Sequence, residues 1–423
     1  MNEARKIAFH TLGCKLNFSE TSSISRQFLN EEFAEVPFSQ QADIYVINSC
    51  SVTRNAEKRC KALIRQAIKQ NPEAFVAVIG CFSQINPDEI KALPGVGLVL
   101  GNADKFNLFR HLKEGDLPSY AVNEPTRFEP SWSGDGRTRS FFKIQDGCDY
   151  SCAYCTIPLA RGISRSDTIA GTLKIASGIA KTNIKELVLS GVNIGDFGKL
   201  HHERFIDLLR ELVDIEGIER IRISSVEPDL LDDDIIRLVA DHPRLMPHFH
   251  IPLQSGSDEV LKAMGRRYNT SLFARRVERI RSLMPLACIA ADLIVGFPSE
   301  TNVLFEESMQ FIKDTEVSYI HVFSYSERAH TRALRIKEQV PVAQRHDRSR
   351  QMHALSDEKK KAFYLKNKGT RARVLWEQEQ SGGRIYGFTE NYIRVKTDFD
   401  PGLVNKIQEV NLNLLEADMV YLV

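Results

Sequence analysis

No stretch of this 423-residue chain reaches the roughly 18 uncharged apolar residues that a membrane span requires, so no membrane partner is expected. Charge of one sign is lacking too: 56 Lys and Arg stand against 55 Asp and Glu, a net charge of +1. This excludes a molecule-wide attraction to polyanions, and any contact with nucleic acid must come from local patches. There is no solenoid-type repeat and no low-complexity tract, which excludes repeat arrays and wholesale disorder. What remains is an ordinary globular composition, 43% hydrophobic and 26% charged, in a chain too long for one core. Two or three domains are expected. The N-terminal text MNEARKIAFHTLGC passes from a charged start directly into a strand-like run. With no secretion signal, the 8 cysteines do not read as a disulfide framework, and a cytoplasmic protein with metal-binding or catalytic thiols is expected.

In the first third, the short apolar runs KIAFHT, DIYVINS, FVAVIG and GLVLGN alternate with helical patterns at 19–33, 54–70 and 84–93. That alternation specifies a parallel sheet covered by helices, over residues 1–120. Residues 121–138 are rich in Pro, Gly, Ser and charge and read as a linker. Over residues 139–366 the alternation resumes with FFKIQ, ELVLSG, RIRISS, HFHIPL, IAADLIVGF and YIHVFSY, and a long polar helix near 342–367 follows. Six βα units predict an open, partial TIM-like (β/α)6 barrel. Short strands in 367–423 predict a small antiparallel β-barrel. The fold class is therefore multidomain α/β.

Cys148, Cys152 and Cys155 form a C-x3-C-x2-C loop just after the first barrel strand, at the rim where such barrels carry their active sites. Three soft thiolates favour iron–sulfur or zinc, and zinc lacks a fourth ligand at finger-like spacing. A cluster held by three ligands leaves one iron open. That iron could chelate S-adenosylmethionine (SAM), and an electron passed to the sulfonium would release a 5′-deoxyadenosyl radical. A zinc knuckle or an electron-transfer cluster is the bland alternative. Cys14, Cys50 and Cys81 each end a predicted strand, at spacings of 36 and 31 residues that fit one βα step. Parallel strands bring their carboxyl ends to one edge, so these thiols are expected to converge as a second cluster site. Cys60 lies on the apolar face of a helix and Cys288 in an apolar strand, so both are expected to be packing residues.

The spacing of the cysteine loop, with Tyr154 before its last cysteine, resembles the radical SAM superfamily. With both cysteine sets, the chain resembles the methylthiotransferases over essentially its whole length. The matching text includes TLGCKLNFSET, NSCSVT, IGC, SGVNIGDFG, RISSVEP, HIPLQSGSDEVLKAMGRRY, DLIVGFPSET and HVFSYSER. Lys15, directly after the first cysteine, resembles the group that acts on N6-threonylcarbamoyladenosine beside the tRNA anticodon; enzymes for isopentenyladenosine usually carry Gln there. Two departures stand out: NSC in place of NTC around Cys50, and Ala329–His330 where the family carries Pro–Gly.

The resemblance implies two 4Fe-4S clusters and SAM as cofactors, with SAM used first as methyl donor and then as radical source for attack at adenine C2. It implies SAM contacts at Tyr154, Ser190, Gly191, Val192, Asn193, Ser224 and Glu227. Gln254, Ser255, Val295 and Gly296 are further candidates for the ribose and adenine. It also implies a C-terminal TRAM domain, a tRNA anticodon stem-loop as partner, a reductase or flavodoxin-type electron donor, and a sulfur source. No general acid or base is obvious. Read directly, Arg371, Arg373, Arg384, Arg394 and Lys396 alternate with Trp376, Tyr386, Phe388 and Tyr392, a mixture of cations and stacking faces that suits RNA. Half of those aromatics would also serve the small barrel's core. Arg266 and Arg267, and the run Arg275, Arg276, Arg279 and Arg281, are further basic clusters that could meet phosphate or be solvated helix faces. Rival readings are methylthiolation of isopentenyladenosine or of a ribosomal-protein aspartate, and, in a different class, a non-catalytic metal-containing RNA-binding protein.

Overall fold

The computed structural model describes residues 4–29, 33–114, 120–134 and 138–423. Its first sheet is parallel throughout, in the order 33–35, Arg5–Thr11, Ile44–Ser49, Phe75–Gly80, Val96–Leu100, Tyr120–Ala121. Every residue of Ile44–Ser49 is buried, because helices cover both faces. Ala8, Tyr45, Ile47, Val76, Val78 and Val99 pack on one side, and Ile7, Ile44, Val46, Ala77, Ile79 and Leu98 on the other. The helix Lys15–Phe28 starts earlier than its apolar pattern suggests, and it buries Asn17, Ser19, Glu20, Thr21, Ser22 and Ser25. A polar face this deeply buried needs a polar partner, and the next segment supplies it.

Part of the stretch read as a linker is built into the two flanking sheets, and 135–137 lie outside the described residues. Tyr120–Ala121 extends the first sheet, and Ser131–Trp132 pairs antiparallel with Arg139–Lys143 of the next. Ser131 meets Ser19 at 2.9 Å, and the Arg26 guanidinium stacks on Trp132 at 4.0 Å.

The six expected barrel strands are Arg139–Lys143, Glu186–Ser190, Arg220–Ile223, His248–His250, Cys288–Val295 and Tyr319–Ser324. They form two parallel sheets joined through the single bridges Ile221–Leu245 and Ser225–His250. Leu187, Leu189, Ile221, Ile223, Phe249, Ile289, Ala291 and Ile320 point outward into the main core beneath the helices. Strand alternation therefore turns Glu186, Arg222, His248, His250, Asp292, Tyr319 and His321 into the lumen. The helix Val342–Lys366 leads to a curled terminal sheet, Arg371–Ser381, Arg384–Phe388, Arg394–Asp398, Ile407–Asn411, Leu414–Leu415 and Tyr421–Leu422. It is antiparallel except where Val395 and Lys396 pair in parallel with Tyr421 and Leu422. No helix among the described residues is long and apolar enough to cross a membrane.

Candidate functional site

Cys14, Cys50 and Cys81 follow three neighbouring strands of the first sheet, so parallel alignment brings them to one edge. Gly13 has φ +99°, and a Cβ there would lie 2.8 Å from Cys50 Cβ and 2.9 Å from Cys50 Sγ. Only glycine lets the first turn press this closely on the second cysteine. Asn17 Oδ1 lies 3.9 Å from Cys14 Sγ and 4.0 Å from Cys81 Sγ, and Asn102 Nδ2 donates to Cys81 Sγ at 3.5 Å. Burial, then the neighbouring Cys81, push the Cys50 thiol up to about 12. Cys14 is also raised, chiefly by surrounding protein, although its surface is the most open of the three.

The second set lies in the loop after the short strand Gln145–Asp146. The Tyr150 N–H donates to Cys148 Sγ at 3.3 Å, the Ile157 N–H to Cys155 Sγ at 3.4 Å, and Arg266 Nη1 to Cys152 Sγ at 3.1 Å. Burial pushes Cys148 and Cys155 up to about 12. Thiols this reluctant to ionise need a bound cation to become thiolates, and N–H donors aimed at sulfur suit a thiolate-ligated centre. Among the described residues, the one trio of possible ligand atoms drawn within 4.8 Å is His250, Asp292 and His321. Cys60 and Cys288 are wholly buried among apolar neighbours.

Between the two cysteine sets runs a buried ion network that sequence reasoning missed. Glu20 receives Arg161 through two contacts of 3.0 Å, Lys143 at 2.9 Å, and Lys105. Arg161 Nη1 also donates to Asp146 Oδ1 at 2.9 Å, and Nη2 to Asn17 Oδ1 at 2.6 Å. Glu20 and Asp146 are thereby held below the usual carboxylate range by Arg161 and the lysines, against the upward push of their burial. The missed signal was polarity out of place: Asn17 and Glu20 sit on a helix face otherwise read by its apolar residues.

The residues proposed for SAM line the barrel rim, and several carry structural duties there. Ser190 donates to Val188 O at 3.0 Å. A Cβ on Gly191 would meet Ile194 at 2.5 Å and Gln145 at 2.8 Å. Val192 is half-buried beside it. Gln145 also receives the Asn193 N–H at 2.8 Å, while the buried Asn193 Oδ1 has no partner. Ser224 is buried, and Glu227 is paired with Arg266 yet pushed up to about 7 by its burial. Gln254 adopts φ +68°, and Ser255 Oγ accepts the Ser257 N–H at 3.2 Å. Val295 is fully buried. Gly296 accommodates the Arg345 side chain rather than open space. Tyr154 is packed against Phe297, ring centroids 6.3 Å apart. His330 keeps φ +67° at the position where the family pattern has glycine.

The basic clusters are largely occupied. Arg266 turns inward, Arg267 stacks on Tyr150 at 4.0 Å, Arg276 and Arg279 pair with Asp233, and Arg281 binds the carbonyls of Ala287 and Glu316. On the terminal sheet Arg371 pairs with Glu409, Arg373 with Glu390, Arg384 with Asp398, and Lys396 with Glu416 and Asp418. Arg394 lies over Tyr386 at 4.4 Å. Trp376 is core, and Phe388 stacks on Tyr392 against Arg139 of the barrel.

Residues 6–101 match the model of an uncharacterized protein family, UPF0004, and residues 142–312 that of the radical SAM superfamily. The chain is 35% identical to the threonylcarbamoyladenosine tRNA methylthiotransferase MtaB of Bacillus subtilis, over 98% of this chain and 95% of that protein. For MtaB of Aquifex aeolicus the identity is 36%, over 93% and 97%. A tRNA-2-methylthio-N(6)-dimethylallyladenosine synthase of Helicobacter pylori is 32% identical over 96% and 97%. Among solved structures, the radical SAM methyltransferase TsrM of Kitasatospora setae superposes with a TM-score of 0.55 at 12% identity, over 75% and 72% of the two chains, which is a likeness of fold. With this identity along nearly the full length of its relatives, the protein belongs to the radical SAM methylthiotransferase family.

Proposed function

We propose that the enzyme adds a methylthio group to C2 of N6-threonylcarbamoyladenosine next to the tRNA anticodon. The observation that carries the reading is the pairing of two three-cysteine sites, one on a sheet edge and one on a barrel rim, joined by a single buried ion network. The identity to MtaB proteins favours the threonylcarbamoyl substrate over the isopentenyl one.

Family membership brings SAM and two 4Fe-4S clusters as cofactors. Cys148, Cys152 and Cys155 would hold one cluster and Cys14, Cys50 and Cys81 the other, and together with SAM these groups supply a methyl donor, a radical source and a place for the transferred sulfur. The chain's own contribution is positional. Arg161 reaches from the barrel rim to Asn17 and Glu20 of the first domain and fixes the spacing of the two sites. Arg266 orients Glu227 and Cys152 together. The first domain packs on the barrel through Lys15–Phe28, which lies against Ser131–Trp132 and Arg139–Lys143. The terminal sheet is assigned to the anticodon stem-loop. A reductase or flavodoxin-type protein would supply electrons, a separate donor the sulfur, and the cytoplasm would be the compartment.

The test is anaerobic reconstitution with iron and sulfide, followed by SAM, reductant and a threonylcarbamoylated anticodon stem-loop, with mass spectrometry of nucleosides and of 5′-deoxyadenosine. A gain of one methylthio group on the modified adenosine is expected. Cys148→Ala should abolish SAM cleavage, whereas Cys14→Ala should retain cleavage and lose the methylthio product. Zinc in place of iron, with no SAM cleavage, would sink the enzyme reading in favour of a metal-containing RNA binder.

A further inference from the structure

Lys15 follows Cys14 directly and extends from the first domain over the barrel mouth, with Nζ 5.9 Å from the Phe141 ring centroid. It is solvent-accessible, and it faces the barrel mouth rather than a convex outer surface. Among the described residues it has no ion-pair partner. The surrounding lumen is polar on every facing strand. His250 Nε2 and Asp292 Oδ1 are 2.8 Å apart, and the His321 ring is 5.5 Å from that of His250 and 5.2 Å from that of Tyr319. Tyr392 of the terminal sheet closes the far side, 4.8 Å from His248.

The recess carries charges of both signs, and most of them are paired. Arg222 is paired with Glu186 at 2.8 Å and Asp292 is hydrogen-bonded to His250, so no carboxylate among the described residues lies within ion-pair distance of Lys15. The same field tells on the histidines: His248 and His321 are both held toward their neutral form, first by burial, with Lys15 among the charges that add to it. The unpaired Lys15 ammonium favours an anion beside it and acts against a cation placed nearby. The ligand that fits is a small organic carboxylate with further polar groups for Asp292 and His321.

We propose that Lys15 is a specificity-determining residue that pairs with the carboxylate of the substrate's threonylcarbamoyl group, while Asp292 and His321 take its hydroxyl and ureido N–H. This rests on the substrate reading above, because an isopentenyl group carries neither charge nor polar atoms. Lys15 stands one residue from a cysteine of the first-domain site, so holding the N6 substituent there would present the base to that site.

The experiment measures equilibrium binding of reconstituted full-length enzyme to anticodon stem-loops carrying N6-threonylcarbamoyladenosine as the free acid, as its methyl ester, or replaced by N6-isopentenyladenosine, with product read by mass spectrometry. Wild type should bind the free acid about tenfold or more tighter than the ester, as expected for one charge-assisted contact. Lys15→Gln should erase that difference by weakening the acid alone, and Lys15→Arg should restore most of it. Indifference of the wild type to esterification overturns the proposal, as does an equal loss for acid and ester in Lys15→Gln. The wild-type comparison decides even if the variant folds poorly. Methylthiolation of the isopentenyl loop in preference to either threonylcarbamoyl loop would instead overturn the substrate reading itself.

Discussion

Arg161 shows how much of this molecule rests on single side chains. Its guanidinium is fully buried and touches Glu20, Asp146 and Asn17, so one residue of the cysteine-loop segment is bound into the floor of the other cysteine site. Buried ion networks are costly to break from one side, because the remaining charges lose their compensation without regaining water. Arg161→Ala leaves Glu20 with two lysines and removes the one planar group that satisfies both carboxylates. It is expected to cost about 3–5 kcal/mol of stability, seen as a lower urea midpoint, and Arg161→Lys should recover only part because it cannot span the same partners. An unchanged midpoint in Arg161→Ala would show that the network is not what joins the domains. The sequence made the six cysteines readable because their spacing repeats a geometric unit. Arg161, Glu20 and Lys143 were not readable, because nothing along the chain states that residues 141 and 123 positions apart will meet.

At the scale of elements, alternation fixed more than was first taken from it. RIRI, HFH and YIHVFS are expected as strands from their place in the βα alternation, and all three are strands in which apolar residues recur with period two. The same period states which face is polar: Arg220 and Arg222, His248 and His250, Tyr319 and His321 share the lumen. Helix onset was less legible, since Lys15–Phe28 begins directly after Cys14 on residues whose apolar pattern is weak. The turn before it is a sharper element. Gly13 holds φ +99° against Cys50, so a methyl group there must displace the cysteine or the turn. Gly13→Ala should leave the barrel-rim site intact and disable the sheet-edge site, lowering iron in the reconstituted protein from about eight to about four per chain. Iron analysis with electron paramagnetic resonance checks this, and full iron incorporation would show that the turn has room to move.

For the whole molecule, the terminal sheet is part of the barrel's closure. Arg220 is wholly buried and donates to Phe388 O at 3.0 Å and to Arg373 O, Arg222 donates to Glu390 O at 2.9 Å, and Arg139 meets Glu377 at 2.8 Å. Asn391 closes the seam by donating to Leu286 O at 2.7 Å. Apart from the Arg139–Glu377 pair, these are contacts to backbone carbonyls, so they depend on the position of the sheet and on few of its side chains. A barrel of six strands leaves its lumen open on one side, and two buried arginines inside it need acceptors that the barrel alone does not provide in full. Removing the sheet would therefore strand those charges. Arg220→Ala should cost on the order of 3 kcal/mol through lost charge-assisted bonds to carbonyls, and hydrogen exchange should rise in both Arg371–Ser381 and Arg220–Ile223, because the two strands are held by the same side chain. Faster exchange confined to the terminal sheet, with the barrel strand unaffected, would show instead that the sheet is an appended module and that the lumen holds its own charges.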